Sequence, residues 1–316
     1  MFAQACKRLL QSFLLLFAIT TIWFFALSFA PGDYFDEARL NPATSPETIE
    51  RLRTAYGISQ PAPIRYGRWL WSVAHGDLGQ SIAYNAPVAT LLKPRVANTL
   101  LLAGTALALS WSLALSLGVW AGGRTGGLID GLTRGLAGIL LAIPELTAAT
   151  FLVYWAARTG RLPTGGMTGG DGNALRDIIL HMILPLAVLT AGGFPILFRH
   201  VRLAVRETIQ APYIRTAISF GINPARLWLR YILPAAANPL ISLLGLSFAS
   251  LLSSSLLVEF VFGWPGLGPM FLDALFARDT YLLLAPVMLS SMLLLCGNLV
   301  ADLLLLWNDP RLRMGK

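Results

Sequence analysis

Six stretches of this chain are long and apolar enough to cross a hydrocarbon core of about 30 Å, and nothing else in the sequence restricts its folding more. They run roughly over residues 9–30, 98–121, 132–157, 178–198, 235–258 and 281–306. In lipid a backbone must satisfy its own polar groups, which leaves helices and closed barrels. The runs are continuous in Leu, Ala and Val rather than alternating, which argues against a barrel. The expected fold class is all-α, a polytopic membrane protein with six transmembrane helices, and interleaved Gly and Ser allow those helices to approach closely. Charged residues make up only 13% of the 316 residues, against about 25% in a soluble domain.

The net charge of +8 comes from residues scattered between the apolar runs. That pattern fits cytoplasmic loops and argues against a nucleic-acid partner. Lys7 and Arg8 precede the run from Leu9 to Ala30 as in a secretory leader. A run of about 20 residues exceeds the roughly 7–15 of a leader, and no small-x-small site clearly follows, so a retained first span is expected. With the N-terminus inside, 13 lysines and arginines fall in cytoplasmic segments and 4 in the two short outer loops. The remaining 7 lie in the 31–97 loop, which is long enough to escape the charge rule. Both termini are expected in the cytoplasm. Cys6 and Cys296 form no disulfide framework and no metal-ligand spacing.

The 31–97 loop is too long to be featureless. Ser45 and Pro46 suit the start of a helix reaching Tyr56. Tyr66, Trp69 and Trp71 suit a short amphipathic helix at the membrane surface, as interface anchors or as substrate contacts. The expected division is residues 1–97, a first helix plus periplasmic loop, and 98–316, a five-helix core.

Residues 199–234 between the fourth and fifth spans are polar and basic. Pro212 can start a helix, on which Tyr213, Ala217 and Phe220 share a face. Gly221 suits the left-handed residue that closes it. Asn223 and Pro224 suit the cap and first residue of a second helix, and Pro234 is expected to break the chain before the fifth span. An apolar stripe on a helical hairpin needs cover. Packing on the chain's own helices, anionic lipid and a cytoplasmic partner are all open.

The Gly and Pro density of Trp264–Gly268 cannot continue a helix. With Phe262 and Trp264 it forms either a re-entrant turn lining an outer entrance, through Trp264, Pro265 and Gly266, or a plain turn with an aromatic anchor. Glu145 beside Pro144 lies within the third run, where an acid costs several kcal/mol unless it faces a cavity or a partner. Pro144 frees a backbone carbonyl and is expected to kink that helix. Glu145 then either lines a pathway and favours cationic substrates, or bonds internally to a neighbouring helix. His181 reads as an interface residue rather than a metal ligand. No Walker-type G-x-x-x-x-G-K-[ST] occurs.

The segment Arg215-Thr216-Ala217, three residues, Gly221, nine residues, Tyr231-Ile232-Leu233-Pro234 resembles the EAA loop of ABC importer permeases. Ala217, Gly221, Leu233 and Pro234 match that pattern, while Arg215, Thr216 and Tyr231 depart from it. The YIRTA run at Tyr213–Ala217 is similar to the peptide-type version. Pro31-Gly32-Asp33, Tyr56-Gly57-Ile58 with Gln60-Pro61, Gly76-Asp77-Leu78-Gly79 with Ser81, Asn98-Thr99-Leu100, His181–Pro185 and Glu259–Gly268 resemble further motifs, in order. Asn298, Asp302 and Asp309–Arg313 complete the series. On these motifs the chain is identified as a member of the B-type permease family of oligopeptide, dipeptide and nickel importers.

The resemblance implies a type I importer permease fold and peptides as cargo, with nickel chelates or peptide antibiotics as alternatives. It implies a C-type second permease, two ATP-binding subunits that hold ATP and Mg, and a periplasmic or lipid-anchored substrate-binding protein. No cofactor is expected in this chain, nor any catalytic or metal residue. Tyr213, Arg215, Thr216, Ala217, Gly221, Leu233 and Pro234 would couple the ATPase to the membrane helices. A stand-alone secondary transporter would carry several intramembrane charges in repeats, and a membrane enzyme would need a convergent catalytic set. Both leave the 213–234 segment unexplained.

Overall fold

Helix formation carries most apolar runs past the edges of the hydrophobic stretch. The computed structural model describes residues 2–29, 32, 34–35, 45–169 and 174–308. Pro31, Asp33, Gly170 and the Asp309–Arg313 tail lie outside the described residues. The first run is α1 (Phe2–Phe29). The second is α4 (Val88–Gly123), which begins ten residues before the apolar run and holds Pro94 in its second turn. The fourth, α7, runs Ala174–Gln210, well beyond its apolar edge near residue 198. The fifth is α10 (Leu233–Val261), and the sixth is α12 (Thr280–Asn308).

The third run is not one continuous helix. It divides into α5 (Leu128–Ala142) and α6 (Glu145–Thr159), which meet at 91°. Pro144 has no N–H to continue α5, and its ring drives Ile143 into an extended conformation. Ile143 indeed has φ −94° and ψ 117°. The expected kink is therefore a break. Among the described residues five helices are each long and apolar enough to cross a membrane, or six spans if the bent pair counts as one. The all-α polytopic architecture stands.

Two compact units are present, and they do not follow chain order. One comprises Thr99–Trp264 and the chain from Leu294; the other comprises Phe2–Asn98 and Pro265–Leu293. The expected division at 97/98 differs by grouping 265–293 with the core.

In the larger unit α7 is the central helix, packed by α5, α6 and α10. Its Phe198, Val201 and Val205 sit in a buried cluster with Ala114 and Ala121 of α4. Small residues make that approach possible. A Cβ on Gly118 would lie 2.8 Å from Val201 Cβ, and one on Gly122 would lie 2.8 Å from the Arg202 carbonyl oxygen. On the other side of the unit, Gly245 of α10 lies against Asn298 of α12.

The smaller unit holds the loop elements α2 (Pro46–Ala55), α3 (Ala62–Ala74) and the hairpin β1 (Gln80–Ser81) with β2 (Ala86–Pro87). Ser45 caps α2 by accepting from Thr48 N, as the sequence predicts. Tyr66 and Trp69 of α3 are not membrane-surface anchors. They are buried on α1 against Phe24, in a cluster with Leu284. Only Trp71, 71% exposed, retains an outward aromatic ring. Asp279 is buried and ties the hairpin to the start of α12: Ser81 Oγ and Ala83 N donate to Oδ2 at 2.7 and 3.0 Å, and Leu282 N donates to Oδ1.

Gly122→Val forces α4 away from α7 and is expected to cost about 1–3 kcal/mol. The check is the thermal unfolding midpoint in detergent, which should fall by several degrees. Gly104→Ala, on the same helix with nothing within 4 Å of the added methyl, should not lower it.

Candidate functional site

The segment after α7 forms a helical hairpin whose joints are set locally. Ala211 is extended, and Pro212 opens α8 (Pro212–Ser219), where a missing N–H costs nothing. Gly221 follows with φ +70°, a conformation that a Cβ disfavours. Its N–H donates to Ile218 O at 2.9 Å and the next N–H, of Ile222, to Ala217 O. Asn223 Oδ1 then accepts from Ala225 N and starts α9 (Pro224–Leu227).

Pro234 does not break the chain, contrary to expectation. In a regular helix its ring would clash with the carbonyl four residues back. A π-helical turn over Trp228–Ile232 widens the spiral there, and the Leu233 N–H reaches Trp228 O. The chain from Pro224 to Val261 is thus one continuous helical path.

The buried stripe of α8 also differs from the expected one. Ile214 and Ala217 face inward, into the cluster that holds Leu227, Ile232 and Val201. Tyr213 is half-exposed and Phe220 is 82% exposed. Phe220 has left the helical register as the C-cap residue, so counting by i+3 from Ala217 fails there. Ile218 and Leu229 are exposed as well, and Arg215, Thr216 and Gly221 lie on the surface. The hairpin therefore does two things at once: it packs on its own helices and leaves an apolar edge uncovered. Trp228 extends its ring over Gly123 at the end of α4, where a Cβ would lie 2.9 Å from the indole.

An ion pair near this hairpin was missed in the sequence. Arg202 of α7 donates to both carboxylate oxygens of Asp130, at 2.6 and 3.0 Å. Gly126 N donates to the same carboxylate at 3.0 Å, and Arg134 lies at 3.5 Å. Asp130 is buried, in the first turn of α5. It is the one acid between residues 122 and 131, which is the signal that could have drawn attention to it.

Glu145 is the first residue of α6 rather than a mid-helix acid. Together with Gly192 and Gly193 of α7 and Ser247, Ser250 and Ser254 of α10 it lines a cavity of about 180 Å³. Pro144 is the adjoining cap. Trp264 is not brought to this cavity. Its indole is fully enclosed, packed with Leu102, Leu189 and Phe262, so it is neither an interface anchor nor a wall of an entrance. Pro265 O accepts from Asn98 Nδ2 at 2.8 Å, and Gly266 caps α11 (Leu267–Phe276). His181 Nδ1 lies 2.8 Å from Asp177 O. Among the described residues no group of three His, Cys, Asp or Glu side chains could hold a metal ion.

Comparison with known proteins agrees with this architecture. Residues 114–314 match the family described as "Binding-protein-dependent transport system inner membrane component", and residues 1–103 match its N-terminal counterpart. The chain is 33% identical to the oligopeptide transport system permease protein AppB of Bacillus subtilis, over 99% of each chain. It is 31% identical to the dipeptide transport system permease protein DppB of Escherichia coli K12, over 94% of this chain and 95% of that one. Among solved structures, the inward-facing methionine ABC transporter MetNI has a similar fold (TM-score 0.55, 18% identity, 70% of this chain and 97% of that one).

Removing one partner of a buried ion pair strands the other, at about 3–5 kcal/mol. Asp130→Ala should lose about that much unfolding free energy in detergent micelles. The paired change Asp130→Leu with Arg202→Met should lose clearly less than Asp130→Ala alone.

Proposed function

The chain belongs to the family of binding-protein-dependent transport system inner membrane components, and from that premise we propose that it is the permease subunit through which an ABC importer carries di- or oligopeptides into the cytoplasm. The relatives named for oligopeptide and dipeptide transport, matched over nearly their whole length, support the choice of cargo. In this reading a C-type permease completes the pathway, two ATP-binding subunits hold ATP and Mg, and a binding protein outside delivers the peptide. This chain carries no cofactor. Both termini lie in the cytoplasm with the hairpin, and the protein spans the bacterial inner membrane.

The observation that carries the reading is the two-faced helix α8. Its exposed edge of Tyr213, Ile218 and Phe220 enters a groove on an ATP-binding subunit. Its inner stripe of Ile214 and Ala217 is already packed into the helices, so a push on the edge moves the bundle rather than a loose loop. Arg215 and Thr216 face the same partner. Leu233 and Pro234, at the end of the π turn, pass the movement into α10. Glu145 and Pro144 border the transport path in this scheme.

The test is a pull-down of the tagged chain from native membranes in mild detergent, with the bound proteins identified. Recovery of a second permease and ATP-binding subunits is expected. An exposed aromatic that anchors an interface is worth about 2 kcal/mol or more, so Phe220→Asp should weaken ATPase recovery roughly 30-fold. Gly221→Leu forces a side chain into a left-handed conformation at about 1–2 kcal/mol. It should uncouple ATP hydrolysis from uptake while the bundle stays folded. Recovery of the chain alone, even after cross-linking, would defeat this function.

A further inference from the structure

The cavity beside Glu145 has a chemistry that the coupling hairpin does not use. We propose that it is a lysine-reading site: Glu145, with the hydroxyls of Ser250 and Ser254, holds the side-chain ammonium of a passing peptide, and Gly192 sets where the carboxylate sits by leaving room for it against α7. The inference rests on the peptide-import reading above.

Three observations converge. First, the Glu145 carboxylate makes no hydrogen bond or ion pair to another described residue, although an acid in an apolar segment is costly without a partner. Its place at the start of α6 puts it at the positive end of a helix dipole, which favours negative charge but supplies no counter-cation. Second, a methyl group on Gly192 would overlap Glu145 Oε1, so any side chain there would push the carboxylate out of its present position. Third, Ser247, Ser250 and Ser254 recur at i, i+3 and i+7, one face of the helix, and line the same cavity. Ser247 Oγ is already engaged, accepting from Trp111 Nε1 and donating to Leu244 O. The Ser250 and Ser254 hydroxyls make no hydrogen bond to another described residue.

The lining thus offers a carboxylate and hydroxyl acceptors, with no basic side chain among its residues. An ammonium brings three donors and no acceptor, the complementary set. The rest of the wall is apolar, formed by Ile196 and leucines of α7 and α10. Such a wall suits the four-carbon stem of lysine. It does not suit an α-amino group, whose adjoining peptide groups would be buried without partners. The volume, about 180 Å³, is below the roughly 300 Å³ at which pockets enclose whole small ligands. It fits one side chain. A single carboxylate also keeps the hold weak, which a transport site needs in order to release its cargo.

The experiment uses the assembled complex in proteoliposomes, with its own binding protein saturated by either Ala-Lys-Ala or Ala-Met-Ala. The two peptides share an α-amino group and a long side chain and differ in the ammonium. Their uptake ratio is the readout. Glu145→Gln should lower the Lys-to-Met ratio about five- to tenfold, the scale of one partly exposed charge-assisted hydrogen bond. Gly192→Ala should lower it similarly, and Glu145→Asp should retain part of it. An unchanged ratio in Glu145→Gln, whether both rates hold or fall together, overturns the proposal. So does a complex that assembles with Glu145→Asp but not with Glu145→Gln, because the carboxylate then pairs with a cation of the partner permease. Failure of the wild-type complex to import either peptide overturns the peptide reading itself, and this inference with it.

Discussion

Everything in the larger unit depends on how closely its neighbours approach α7. Lipid removes the hydrophobic drive that would press helices together in water, so packing contacts and polar ties must do it. Gly118 and Gly122 allow α4 to rest on the backbone of α7 at Val201 and Arg202. The same Arg202 grips Asp130 through two guanidinium nitrogens and holds the first turn of α5. One helix segment is thus clamped by a steric contact on one flank and an ionic one on the other. Buried pairs of this kind contribute little net stability against an apolar alternative, but they fix one geometry.

That clamp lies on the same segment of α7 that receives the hairpin. Val201 and Val205 share a cluster with Ile214, Ala217, Leu227 and Ile232. A displacement of α8 therefore meets a close-packed wall, and packed interiors transmit strain rather than absorb it. The π turn at Trp228–Ile232 resolves a local conflict, since Pro234 can neither donate nor tolerate the regular carbonyl position. Its consequence is mechanical continuity from the hairpin into α10. Single π turns occur often at functional sites for this kind of reason.

Pro144 has the opposite effect. There the conflict ends one helix and starts another at 91°, and a helix N-terminus is created inside an apolar run. Glu145 occupies that N-terminus. The break, the acid and the glycine pair of α7 form one arrangement: without the bend, Glu145 would lie along a helix side, and without Gly192 its carboxylate would have no room. The cavity follows from backbone geometry first and from side-chain chemistry second.

The sequence alone determined what is decided within a few residues. Long apolar runs become helices because lipid leaves the backbone no other choice. Ser45, Asn223 and Gly221 act as cap, cap and turn because each satisfies or bends a backbone group next to itself. The motif order from Gly76 to Gly268 already indicated the family. The tertiary structure decided whatever depends on which helix lies opposite. It turned Ile214 rather than Tyr213 inward, enclosed Trp264, buried Tyr66 and Trp69 on α1, and joined Asp130 to Arg202 across 72 positions. No local propensity encodes those outcomes, because each is set by the shape and charge of a partner surface that exists only once the helices have packed.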